Sequence, residues 1–211
     1  VSVEETAPRP APRTARGART RARLLQAAED VFATVGYPDA SIVRITELAG
    51  VALGTFYVHF TGKKEIFDEV VRDLSRRVRQ AMSEASSAAA DRLQAEREGF
   101  RAFFAFTAEH PALYRIIRQA EFVSPEVMRG HYDDICSGYA AGLDAAMGRG
   151  EIRGLDPEVA AWALMGAGEL IGMRWVLWEQ EGRIPDAVFD QLMTLIEGAL
   201  APAPTTDGEQ T

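Results

Sequence analysis

Between Ser41 and Glu65 the chain reads SIVRITELAGVALGTFYVHFTGKKE, and no other stretch narrows the possible fold as far. Ile42, Ile45, Leu48 and Ala49 recur at helical spacing and give one short helix an apolar face. Gly50 follows, the residue type that takes a left-handed turn without a steric penalty. A second short helix then starts small and polar at Gly54 and Thr55 and turns aromatic at Phe56, Tyr57 and Phe60. Lys63 and Lys64 open a third helix. Two short helices across a glycine bend have the form of a helix-turn-helix, whose second helix enters the DNA major groove.

The surrounding chain agrees with an all-α fold. Leu24, Leu25, Ala28, Val31, Phe32 and Val35 are spaced by three and four, which predicts a helix from about Arg16 that Gly36 stops. Leu25, Phe32, Ile45, Leu48, Val51 and Phe56 are the expected core of the first three helices. Gly62 stands at the cap of the next helix, with Glu65 in its first turn, where the helix end favours an acid. That helix continues through Ile66, Phe67, Val70, Val71, Leu74 and Val78 to about Ser87. Pro111, Pro125, Pro157 and Pro185 each stand at a candidate helix start, where a missing N–H costs little. The helices predicted from them span 91–109, 111–120, 125–148, 157–181 and 185–200. No alternating run bounded by turn residues predicts a strand.

Charge is divided unequally. The net charge of −8 hides a first part, residues 1–64, with nine Lys/Arg against six Asp/Glu; the rest carries fourteen against twenty-five. Six arginines and no acid lie between Arg9 and Arg23. Because salt screens charge beyond about 10 Å, a basic end on an acidic body fits DNA binding by that end alone. Residues 1–15, rich in Arg and Pro, are expected to be a disordered basic arm; 16–64 the DNA-binding domain; 65–201 a helical ligand-binding and dimerisation domain; and 202–211 a loose tail. Arg13, Arg16 or Arg19 is expected to reach a narrow minor groove from a flexible arm. With Cys136 the single cysteine, no intrachain disulfide or multi-cysteine metal site is expected. The start is Arg-rich without an apolar stretch, and no apolar run reaches about 18 residues, so the expected location is cytoplasmic.

From Arg19 to Val71 the chain resembles the DNA-binding domain of the TetR family of bacterial regulators, above all in Ile45–Phe60 and Lys63–Phe67. The resemblance implies the DNA-contacting residues. Gly54 permits close approach to the duplex and Thr55 bonds a phosphate or base edge. Tyr57 and His59 are similar to the family's phosphate-contacting pair, and Lys63 matches its lysine at the next helix start. Ser41 caps the first helix of the motif and is a phosphate donor; Arg44 reaches a base or the backbone; Lys64 adds phosphate attraction. Leu53 replaces a residue that is often polar and offers contact only to a thymine methyl, so the operator sequence does not follow.

The second half supplies large residues for a sensor. Phe103, Phe104, Phe106, His110, Tyr114, Phe122, Tyr132, Trp162, Met165 and Trp175 are expected to line an apolar ligand pocket. Arg118 is expected to fix a polar ligand end, with Arg115, Glu121, Glu169 and Arg174 as further candidates. The stretches 108–123, 155–159 and 164–175 are similar to a TetR subgroup linked with fatty-acid metabolism, which implies an acyl-CoA or related lipid as effector. Helices 157–181 and 185–200 are expected to form a homodimer interface, with Ala163, Gly166, Ala167 and Gly168 allowing close approach and Leu164, Ile171, Leu192, Leu195 and Ile196 supplying apolar area. The function so implied is a repressor that binds a near-palindromic operator as a dimer and leaves it on binding a small apolar ligand; the alternative is an activator or architectural protein with the same DNA domain. No nucleophile–base pair or His-x-x-x-His spacing is present, so neither an enzyme, nor a cofactor, nor a metal site is expected.

Overall fold

The computed structural model describes residues 14–179 and 182–202, and these are helical throughout, without a strand. In order the elements are α1 (Ala15–Asp39), α2 (Ile42–Ala49), α3 (Leu53–His59), α4 (Lys63–Ser86), α5 (Arg92–Glu109), α6 (Ala112–Val123), α7 (Pro125–Gly148), α8 (Pro157–Gly172) and α9 (Asp186–Leu200). The arm and tail readings fall mostly on residues 1–13 and 203–211, which lie outside the described residues. Two compact units emerge: residues 14–76 with 112–131, and residues 77–111 with 132–179 and 182–202. The boundary expected at residue 64 is therefore not where contacts divide the chain, because α6 packs along α1 and joins the first unit.

In the N-terminal unit each helix end has a local cause. Thr14 caps α1, its hydroxyl accepting from the Gly17 N–H at 3.1 Å. Arg16 and Arg19 thus stand on the first turns of a helix and not on a flexible arm. At Gly36 the backbone leaves the helical region (φ 79°, ψ 163°), which interrupts α1 where the sequence predicts its end. Ser41 caps α2 by accepting from Arg44 N–H at 3.1 Å. Gly50, at φ 62° and ψ 43°, closes α2: its N–H donates to the Glu47 carbonyl and that of Val51 to the Thr46 carbonyl, a Schellman arrangement. Both the hydroxyl and the N–H of Thr61 donate to the Glu65 carboxylate at the start of α4.

The core of this unit is aromatic. Phe32, Phe56, Phe60 and Phe67 are fully buried, with Leu24, Ile45, Ile66 and Leu74 between them. Phe32 meets Phe67 edge-on at 5.1 Å between ring centroids. Two expected core residues stand elsewhere. Leu48 is 58% exposed, because α2 turns Ile45, Thr46 and Ala49 inward instead. Leu25 and Val51 are half-buried, Leu24 taking the inner position on α1.

The C-terminal unit buries Phe100, Phe104, Leu143, Ala161, Leu164, Phe189, Met193, Ile196 and Leu200 around one core. Asp156 caps α8 through the Val159 N–H at 2.9 Å, with Pro157 in its first turn as expected. Gly168 of α8 lies under Phe100, whose ring would come within 2.8 Å of a Cβ there. The helix predicted over 157–181 keeps regular geometry only to Gly172, and Met173–Trp178 form a wider π-turn.

Candidate functional site

In α3, Phe56 and Phe60 point inward and fix the helix from behind. What remains outward is a row of Leu53, Gly54, Tyr57 and Val58, with Leu53 and Tyr57 each 46% exposed. Thr55 and His59 are half-buried at its edges. Tyr57 meets Phe56 edge-on at 5.4 Å, so its ring is braced while the residue stays 46% exposed. Partial burial, and then the Arg21 guanidinium, hold His59 below its ordinary value; near neutral pH it offers a neutral ring N–H and not a cation. On α2 the outward residues are Val43, Arg44, Glu47 and Leu48. Ser41, as cap, keeps its hydroxyl hydrogen for another partner.

Arginines on α1 extend this surface. Arg16, Arg19 and Arg23 border a concavity whose other wall is Gly50, Val51, Ala52 and Thr55. Arg23 is the residue that sequence reasoning missed. Its guanidinium donates to the carbonyls of Ala49 and Gly50 and so clasps the turn between the two motif helices. The signal was available, since positions 16, 19 and 23 share one face of a helix.

Two lysines depart from expectation. The Lys63 ammonium donates to the carbonyls of Tyr37 at 2.7 Å, Ala40 at 2.9 Å and Pro38 at 3.2 Å, and lies 4.4 Å from the Tyr37 ring centroid. An ammonium has three donors, and all three serve the chain between α1 and α2. In this structure Lys63 clamps the chain between α1 and α2. Gln119 of α6 holds the same segment, accepting from the Tyr37 N–H. Lys64 pairs with Asp68 at 2.9 Å and Glu126 at 3.1 Å, so two carboxylates outweigh its charge.

The residues expected to line a ligand pocket divide between the two units. Tyr114, Arg118 and Phe122 belong to the N-terminal unit, where Tyr114 is buried and Phe122 is 84% exposed. In the C-terminal unit Phe104 is part of the core, with Phe103 packed against it. Phe106 meets His110 at a tilt, 4.5 Å between ring centroids, and the Arg77 guanidinium lies against both. The Tyr132 hydroxyl donates to Glu169 at 2.9 Å, beside Trp162. Arg174 pairs with Glu179 at 2.7 Å over the Trp175 ring. Of the residues expected at a dimer interface, Leu164, Leu192 and Ile196 are buried within the unit. The outward apolar residues of α8 and α9 are Val159, Trp162, Leu170 and Leu195.

The unit does hold a cleft, between α4, α5 and α7, and none of the expected ligand residues lines it. Its polar wall is Arg79, Arg92, Glu96, Asp134 and Tyr139. Glu96 is 3% exposed; burial holds its carboxyl above the ordinary range, against the lowering effect of Arg92 and of the Tyr139 hydrogen bond. Burial and the Glu96 charge push the Tyr139 phenol well up. Among the described residues no helix is long and apolar enough to cross a membrane, and no cluster of three or more His, Cys, Asp or Glu is placed to hold a metal.

Residues 24–70 match the family model described as bacterial regulatory proteins, tetR family. The chain is 27% identical over 149 residues to the Bacillus subtilis HTH-type regulator YhgD, covering 67% of this chain and 76% of that one. It is 34% identical over 112 residues to the transcriptional activator FasR of Mycolicibacterium smegmatis, covering 51% and 49%. The curated relatives it matches are spanned over 24% to 76% of their own length. Among solved structures, Bacillus subtilis FadR in complex with stearoyl-CoA superposes with a TM-score of 0.73 at 22% identity, covering 83% of this chain and 96% of that one. Residues 24–70 thus match the DNA-binding helix-turn-helix of the tetR family of bacterial regulatory proteins, and the chain has the all-helical fold of solved TetR-family regulators.

Proposed function

We propose that this regulator is a homodimeric repressor that holds a near-palindromic operator and leaves it when a small molecule with an apolar part binds the C-terminal unit. The observation that carries the reading is the outward row Leu53, Gly54 and Tyr57, fixed by fully buried Phe56 and Phe60. Arg16, Arg19 and Thr55 beside it supply phosphate donors. The apolar residues Val159, Trp162, Leu170 and Leu195 on α8 and α9 support pairing with a second copy. A dimer presents two reading helices, so each weak half-site contact counts twice. The effector must bind the released form more tightly than the DNA-bound form, or it shifts nothing. A fatty acyl-CoA is the effector class that the resemblance to the fatty-acid subgroup favours, and the stearoyl-CoA complex of FadR, a protein of similar fold, supports it.

The test is binding to DNA fragments selected from a random pool by the intact chain. Thr55→Ala with Tyr57→Ala is expected to abolish selective binding while the helical circular dichroism stays unchanged. Retained affinity in that folded double variant would reject the assignment of α3. The identity with FasR favours a second reading, in which the bound regulator activates. Transcription from a selected operator distinguishes them: addition of the chain lowers it for a repressor and raises it for an activator.

A further inference from the structure

The break in α1 at Gly36 leaves two backbone groups to be satisfied. In an unbroken helix the Tyr37 N–H would donate to the Ala33 carbonyl, four residues back. With Gly36 at φ 79° and ψ 163° the next peptide turns away from that partner. Side chains of α6 take both groups instead. Gln119 Oε1 accepts from the Tyr37 N–H at 2.5 Å, and Arg115 Nη1 donates to the Ala33 carbonyl at 3.3 Å. Residues 115 and 119 stand about one turn apart on the same face of α6. The Gln119 amide is itself oriented: Nε2 donates to the Arg115 carbonyl at 2.8 Å and to the Phe32 carbonyl at 3.4 Å, which leaves Oε1 for Tyr37.

The chain beyond the break is held as closely. The Ala40 N–H donates to the Gly36 carbonyl at 3.1 Å, and Lys63 takes the carbonyls of Tyr37, Pro38 and Ala40. The Tyr37 ring stacks on Phe32 at 5.8 Å and meets Phe67 edge-on at 5.0 Å. Ser41 comes next and caps α2. Residues 36–40 therefore set where α2 begins, and α2 with its Gly50 turn sets where α3 stands.

We infer that Arg115 and Gln119 are positioning residues for DNA reading, which hold the broken end of α1 in the form that places α2 and α3. The inference rests on the DNA-binding reading of α3. Both residues act through the backbone of α1 and not by touching the duplex. The joint has two arrangements of the same groups. With the α6 side chains in place, Ala33 and Tyr37 bond to them. Without those side chains, the carbonyl and the N–H meet only if Gly36 returns to helical angles, and that rotation turns Ser41 and α2 with it. Glycine takes either conformation without a steric penalty, so the α6 side chains decide between them.

Amide hydrogen exchange of the full chain, read residue by residue by NMR, and affinity for a DNA fragment selected by the unaltered chain test this together. In the unaltered chain the Tyr37 amide is expected to exchange at least about tenfold more slowly than in an unstructured peptide of the same sequence. Gln119→Leu is expected to speed that exchange about tenfold and to weaken the fragment about tenfold, roughly the effect of one hydrogen bond. The amides from Leu24 to Phe32 are expected to keep their rates. A merely structural role would raise the whole of α1 in parallel, and that result would overturn the inference. Arg115→Leu covers the case in which Gln119→Leu fails to fold, because Arg115 is exposed on α6. It is expected to weaken the fragment about threefold at every salt concentration. A shallower dependence on salt would make Arg115 a phosphate contact and overturn its positioning role. An unprotected Tyr37 amide in the unaltered chain, or fragment affinity unchanged in either folded variant, would also overturn the inference. If the unaltered chain selects no fragment, the DNA reading of α3 fails; a slowed Tyr37 amide would then leave the joint standing without that role.

Discussion

The two units use the same residue types to opposite ends. In the N-terminal unit large rings are sealed completely, Phe32, Phe56, Phe60 and Phe67 among them, and the cations Arg23 and Lys63 are turned onto backbone carbonyls. In the C-terminal unit a ring, Phe100, borders open space, a carboxylate is buried, and a helix relaxes into a π-turn at Met173–Trp178. A reading surface must hold its spacing to a fraction of an ångström, which a close-packed aromatic core with clamped turns achieves. A unit that binds an effector, as proposed for this one, needs room and two ways of arranging its charges, which well-sealed packing forbids. The contrast is one of packing and not of composition, since both units are all-helical and rich in phenylalanine.

Truncating one ring in each unit probes the contrast most strongly. Phe56→Ala is expected to lower stability by about 3–5 kcal/mol, read as a shift of the urea midpoint. Phe100→Ala should cost visibly less, because its ring already lacks partners on the cleft side. Equal losses would mean that the cleft closes in solution. Lys63→Met comes next. Loss of charge-assisted bonds to three carbonyls is expected to cost about 2–3 kcal/mol in the same measurement. A stable Lys63→Met chain that loses only DNA affinity would return the lysine to phosphate binding.

Gly50→Ala is expected to cost about 1–2 kcal/mol, since φ 62° strains any side chain and the new Cβ meets Arg23. The smallest effect is at Glu96. Burial is the largest influence on it and raises its carboxyl above the ordinary range. Between the ordinary and the raised value the folded chain binds more protons than the unfolded one, so stability falls as pH rises across that window. Glu96→Gln is expected to flatten that fall in a series of thermal midpoints against pH. An unaltered slope would show that Glu96 stays ionised throughout, as it would in a fully compensated pair with Arg92.

Much of the fold was legible along the chain because its causes are local. Gly36 and Gly50 break helices through their own φ, Ser41 and Asp156 cap through residues three positions on, and Pro125 and Pro157 begin helices that start where the prolines stand. The inward course of Phe56 and Phe60, and with it the outward row of α3, followed from periodicity within two turns. Spacing along one helix sets which residues share a face, but it does not set how that helix is rotated against the others. Only the tertiary structure could turn Leu48 outward, place Tyr114 and Phe122 in the N-terminal unit and commit Lys63 to carbonyls 23 to 26 residues away. The same holds for Glu96 and Tyr139, which are 43 residues apart and became neighbours only when α5 met α7. The aromatic series of the second half divided between core, as at Phe100 and Phe104, and surface, as at Phe122 and Trp162, whereas the cleft lies where glycine left a gap between helices.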